Sequence, residues 1–148
     1  INLNINIKFK LMGNQISKIK KMNFEDIQEL QQYNNYILIN TLSENEQNCL
    51  IKGTILAKDE IVSVERIIKT KGSIVIYGKN TNDLSIYDKY TQLIKLGHKN
   101  VYIYIGGLFE WLCLQDIYGN DNFPTTTQEL DILKFKPQST LKTLLLTN

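Results

Sequence analysis

Three short apolar runs punctuate the chain: YILIN at Tyr36–Asn40, IVIY at Ile74–Tyr77 and VYIYI at Val101–Ile105. They are rich in β-branched and aromatic side chains, as strands buried on both faces of a parallel sheet are. The run at Ile74 is the clearest and is expected at the sheet centre. Ile51–Leu56, interrupted by Gly53, reads as a further short strand. Between these runs the apolar spacing changes to three and four. Phe24, Ile27 and Leu30 predict a helix over 23–32 with Asn23 as N-cap, and Asp59 is placed to cap a helix running to about Ile68. Leu84, Tyr87, Tyr90, Leu93 and Ile94 are expected on one face of a third helix, which Gly97 stops at the C′ position. A fourth runs from about Leu108 through Ile117, to the break at Tyr118-Gly119. Ser43 with Glu46, and Thr126 with Glu129, have the capping-box spacing, predicting a helical turn after the first strand and a last short helix ending before Pro137. Strands alternating with helices predict a single α/β domain with a largely parallel sheet.

The length of 148 residues suits one domain. Charged residues at 22% and hydrophobic ones at 43% are globular proportions. A net charge of +2, with lysines scattered except near the start, lacks the clustered basic face of a nucleic-acid binder. Cys49, Cys113 and the single histidine, His98, have no metal-ligand spacing, so neither a metal site nor a disulfide is expected, nor any cofactor. With no secretory pattern, the expected compartment is the cytoplasm.

With YILINTLSENE, CLIKGTI, SIVIYG, LGHKNVYIYIGG and Trp111 following one another in that order, the chain over about Asn23 to Pro137 resembles the rhodanese-like domain family. YILINTLSENE stands where that family has a strand ending in Asp-x-Arg, with Asn40-Thr41-Leu42 in place of those polar residues. CLIKGTI stands where it has Gly-His-Ile-Pro-Gly-Ala-Ile, keeping Ile51, Gly53 and Ile55. SIVIYG matches the strand before the family's catalytic loop. LGHKNVYIYIGG matches its Leu-Gly, Asn-Val and Gly-Gly sequence, and Trp111 the tryptophan after that glycine pair. The resemblance implies a three-layer domain with a mostly parallel central sheet flanked by helices, over 23–137. Residues 1–22 read as a lead-in and 138–148 as a tail.

Active rhodaneses begin that loop with a cysteine that carries sulfur as a persulfide. Here the loop reads Gly78, Lys79, Asn80, Thr81, Asn82 and Asp83, with Gly78 at the cysteine position, and it contains no thiol. A hydroxyl such as that of Thr81 cannot store sulfur. The resemblance thus implies a catalytically inactive member acting as a protein-interaction or regulatory module. The loop reads first as a structural turn and second as a contact for a partner or for a weakly held anion, since a loop entering a helix still directs N–H groups inward. Asp83, expected to cap that helix, puts a negative charge where such an anion would sit. The enzyme alternative is a sulfurtransferase or phosphatase-like protein with a displaced nucleophile, Cys49, which requires Cys49 to lie beside the loop. A third reading places a partner on the extension Phe123–Lys136. His98 is expected in a solvent-facing turn, and Cys113, Tyr102, Tyr104, Phe109 and Trp111 in the packing.

The chain begins with Ile1, and its first methionine is Met12. Residues 1–11 alternate polar and apolar and read as upstream sequence or an attached strand. From Met12 the sequence MGNQIS fits the myristoylation pattern at Gly13, with Ser17 in place. Lys18, Lys20 and Lys21 would then supply the second, electrostatic signal for peripheral membrane contact. The plainer reading is a lysine-bearing lead-in.

Overall fold

The computed structural model describes residues 19–147. Gly13 and Lys18, with the lipidation they were read to support, lie outside them. Four parallel strands form one sheet: β1 (Lys21–Met22), β2 (Tyr36–Asn40), β3 (Ser73–Tyr77) and β4 (Val101–Tyr104), in the order β1-β4-β3-β2. The helices are α1 (Phe24–Leu30), α2 (Glu60–Lys69), α3 (Ser85–Lys95), α4 (Gly107–Tyr118) and α5 (Thr140–Leu146), with 3-10 turns at Glu44–Glu46, Ala57–Asp59 and Ile132–Phe135. None is long and apolar enough to cross a membrane.

Strand alternation sorts the core into two layers. Ile37, Ile39, Ile74, Ile76, Val101 and Ile103 face α2 and α3, meeting Val64, Ile67, Ile86 and Leu93. Leu38, Val75, Tyr77 and Tyr104 face the other way, onto Ile27 of α1 and Leu108, Trp111 and Leu112 of α4. The result is the expected α/β/α arrangement, with β3 flanked on both sides: Val75 pairs with Leu38 and with Tyr102.

Several elements differ from the sequence expectation. The folded unit takes in residues before Asn23, because Ile19 is buried and Lys21 pairs with Ile103 on the sheet edge. Ile51–Leu56 makes only isolated bridges, Ile51 with Thr125 and Thr54 with Leu38, because Gly53 at φ 93° turns the backbone between them. Leu84 is 73% exposed, and Ile86 takes its place in the core. The helix starts at Ser85, and residues 86, 90 and 93 share the inward stripe, from which 84 is about two steps of 100° away. Thr126 caps no helix. Its hydroxyl accepts the Leu50 N–H and donates to the Asn48 carbonyl, stitching the extension to the segment before Ile51. Asn23 does make a capping box with Asp26.

Candidate functional site

β3 delivers the chain at its carboxyl end into the loop 78–83, between β2 and β4. Gly78 is buried, and its carbonyl accepts the Leu108 N–H at 2.9 Å, while the Lys79 carbonyl accepts that of Phe109 at the same distance. The first turn of α4 is thereby fastened to the loop. Gly107 makes this approach possible: its φ is 67°, and a Cβ there would lie 2.6 Å from the Gly78 carbonyl oxygen.

Asp83 organises the interior of the loop. Its Oδ2 accepts the Lys79 N–H at 2.8 Å, and its Oδ1 accepts the Ser85 N–H at 3.0 Å and the Ser85 hydroxyl at 2.5 Å. The Ser85 hydroxyl also lies 2.7 Å from that of Thr41, tying the arrangement to the end of β2. Asp83 is not the N-cap it was expected to be: Leu84 holds that position without a side-chain cap, and Asp83, one residue earlier, accepts the N–H of Ser85 while its second oxygen reaches back across the loop. A Cβ on Gly78 would lie 2.5 Å from Asp83 Oδ2 and 2.8 Å from its Cγ. The loop's own carboxylate therefore fills the space beside Gly78 and takes up inward-pointing N–H groups.

Asn80 is 8% exposed, the only buried polar side chain of the described residues. Its Oδ1 accepts the Asn82 N–H at 2.9 Å, its carbonyl accepts that of Asp83, and its Nδ2 donates to the Phe135 carbonyl at 2.9 Å. The extension thus ends as a cover on the loop, with Phe123 and Phe135 both buried. Thr81 and Asn82 stay exposed. Lys79, Asn80, Asn82, Asp83, Lys136 and Gln138 border a shallow cavity of about 430 Å³.

Lys79 turns away from Asp83. Its Nζ pairs with Glu46 Oε1 at 2.5 Å and lies 5.9 Å from the centre of the Phe135 ring. Desolvation acts to raise the Glu46 carboxyl, but the hydrogen bonds and charge of Lys79, with help from Ser43, outweigh it and hold the group below the usual carboxylate range. A lowered folded-state pKa contributes stability that is present above the unfolded carboxylate pKa and lost as pH falls through the folded one. Glu46→Gln is accordingly expected to lower the urea midpoint at neutral pH and to make no difference in acid. An equal loss at both pH values would rule out the ion pair as the cause.

Cys49 is buried, and its Sγ donates to the Thr127 carbonyl at 3.3 Å. Burial pushes its thiol up, against the weaker opposing pull of hydrogen bonds from Thr125 and Thr127, so the thiolate needed for nucleophilic attack is disfavoured. The half-buried Cys113 is also raised, by burial first and then by the charges of Asp116 and Glu110. Among the described residues no group of three or more His, Cys, Asp or Glu side chains forms a metal site. His98 lies half-buried at the other end of the sheet, and Lys21, on the edge strand, and Lys20, just before it, are exposed. Sequence reasoning missed Thr41, Ser85 and Phe135 as members of the site. Phe135 is 55 residues from Asn80 in sequence, and nothing local signals their contact.

The sequence matches the family described as Rhodanese-like domain over residues 17–113. No curated protein gives a match. Among solved structures, the chain is similar to the BH2092 protein of Bacillus halodurans, with 15% identity, a TM-score of 0.56, and coverage of 95% of this chain and 98% of that one. It is also similar to EanB in complex with hercynine (19% identity, TM-score 0.53) and to EanB with ergothioneine covalently linked with a persulfide cysteine (18%, TM-score 0.50). Both alignments cover 88% of this chain and 33% of EanB, so the chain spans about a third of that protein's length. Identities this low speak to the fold alone.

Proposed function

This chain belongs to the rhodanese-like domain family, and from that premise we propose that it is a non-catalytic member serving as a protein-interaction or regulatory module. The observation that carries this reading is the Asp83 carboxylate packed against Gly78. Sulfur transfer needs a thiolate at the start of the loop and a vacant cradle of N–H groups to hold the anionic donor. Gly78 stands at the position of the family's cysteine and supplies no sulfur atom. Asp83 and Glu46 occupy the Lys79 N–H and Nζ groups that an oxyanion would use. Burial disfavours the Cys49 thiolate that the displaced-nucleophile reading requires.

The test is thiocyanate production from thiosulfate and cyanide. The natural chain is expected to be inactive, and Gly78→Cys alone equally so, since the new side chain meets Asp83. Gly78→Cys combined with Asp83→Ala removes the two nearest atoms, leaving Ile86 Cγ2 at 3.0 Å to give way, and is expected to give measurable turnover. Activity in the natural chain that disappears in Cys49→Ser would overturn the proposal in favour of a working enzyme. For the extension as a docking segment, deletion is a poor test, because it removes Phe123 and Phe135 from the core. Its exposed residues Leu130 and Leu133 are the positions to substitute.

A further inference from the structure

At the opposite end of the sheet from the loop, the last turns of α2 and α3 flank an open cleft of about 290 Å³. Ile67, Ile68 and Ile74 form its floor, and Lys71, His98 and Lys99 stand at its rim. Arg66, Lys69 and Lys95 lie on the last turns of the same two helices. Residues 66–71 and 95–99 hold five lysines and arginines and no carboxylate, although the whole chain is nearly neutral. None of the five is in an ion pair among the described residues, whereas Lys79, Lys89 and Lys134 all are.

One cation near each helix end is explained by the negative end of the macrodipole. That does not explain Lys71. Both helices close with the same paired hydrogen bonds: in α3 the Gly97 N–H goes to the Ile94 carbonyl and that of His98 to Leu93, and in α2 the Lys71 N–H goes to Ile68 and that of Gly72 to Ile67. This closure places its C′ residue in the left-handed region, which favours glycine. α3 uses Gly97 there, at φ 92°, while α2 uses Lys71 at φ 55°, the one non-glycine residue with positive φ among those described. A lysine held in this conformation is a local cost that places an ammonium group at the lip of an apolar cleft.

We propose that this cleft is a docking site for an acidic peptide segment that inserts one large apolar side chain over Ile67, Ile68 and Ile74 while its carboxylates meet the surrounding lysines. Charge complementarity selects an anionic partner, and concavity selects a protruding side chain over a flat lipid surface. The cleft stands apart from the loop, so the inference holds whether or not the loop is inert.

The probe is acetyl-Glu-Glu-Leu-Glu-Glu-amide, titrated into the ¹⁵N-labelled full chain, beside the same peptide with glycine in place of leucine. Amide shifts are expected at 67–74 and 97–100, weakening with added salt and falling away with the glycine peptide. Lys71→Gly separates function from structure: it is expected to raise the melting temperature while weakening the peptide by about 3-fold, the scale of one exposed ion pair. Lys69→Glu with Lys99→Glu should weaken it further and reverse preference toward a lysine-containing counterpart. Absence of shifts at the cleft would overturn the proposal, as would equal binding of the leucine and glycine peptides. Binding to phosphatidylserine vesicles that is lost in Lys71→Gly, with no peptide response, would assign the surface to a membrane instead.

Discussion

Trp111→Ala is expected to cost about 3–5 kcal/mol, the range for truncating a fully buried large aromatic. Trp111 is 0% exposed and lies edge-on to Tyr104 and to Phe123, with ring centres 6.3 and 5.0 Å away. Phe123 in turn packs on Phe24, so one indole connects α4, β4, α1 and the extension. The loss comes from volume more than from the hydrogen bond. The Pro124 carbonyl that accepts the indole N–H at 3.2 Å also accepts the Lys52 N–H at 3.0 Å, and so keeps a partner. Against the roughly 5–15 kcal/mol available to a domain, the loss takes a large share and should lower the melting temperature by about 10 °C. Trp111→Phe, which retains most of the contact, should lose less than half as much. Equal losses in the two variants would show that the indole N–H, not its bulk, holds the extension down.

The parts of the fold legible in the sequence were those with a short-range physical signature. Continuous β-branched runs marked β2, β3 and β4 because both faces of each are covered, and Gly97 marked the end of α3 because that closure needs a left-handed residue. β1 contributes two residues to the sheet, too few for any period to show. Thr126 and Glu129 had the spacing of a capping box, but the Thr126 hydroxyl is held by Asn48 and Leu50, 78 and 76 residues away in sequence. Glu129 instead pairs with Lys134. A capping pattern records what a side chain can do locally, and here a tertiary partner won. The same limit applies at the loop. Asp83 was readable as the acceptor at the start of α3, from its place in sequence. Its reach back to Lys79 depends on how the loop folds, and the engagement of Lys79 by Glu46 depends on where the turn after β2 comes to rest. Lys71-Gly72 reads as a turn in the sequence, but that Lys71 itself takes the left-handed position is seen only in the backbone.

Gly107→Ala is expected to undo the contact between α4 and the loop and to cost roughly 3 kcal/mol. A left-handed alanine contributes about 1–2 kcal/mol of this, and the remainder comes from the two backbone hydrogen bonds it displaces, at about 1 kcal/mol each. The atoms that its Cβ would meet are the Gly78 carbonyl oxygen at 2.6 Å and Asn80 N and Lys79 C at 3.0 Å. All are backbone, so no side chain can swing aside to relieve the collision. Gly97→Ala is the matched control. Gly97 has φ 92° with nothing within 4 Å of its would-be Cβ, so that variant carries the conformational cost and no steric one. Urea unfolding of the two should separate them by about 2 kcal/mol, and amide shifts in Gly107→Ala should move at residues 78–83 while those in Gly97→Ala stay local. If both variants lose the same stability, the left-handed backbone alone accounts for Gly107, and α4 can dock on the loop without glycine's missing side chain. If they separate as expected, the glycine is what lets α4 clamp the loop, and the shape of the site, with Asp83 folded inside it, is set by backbone contact between β3 and α4.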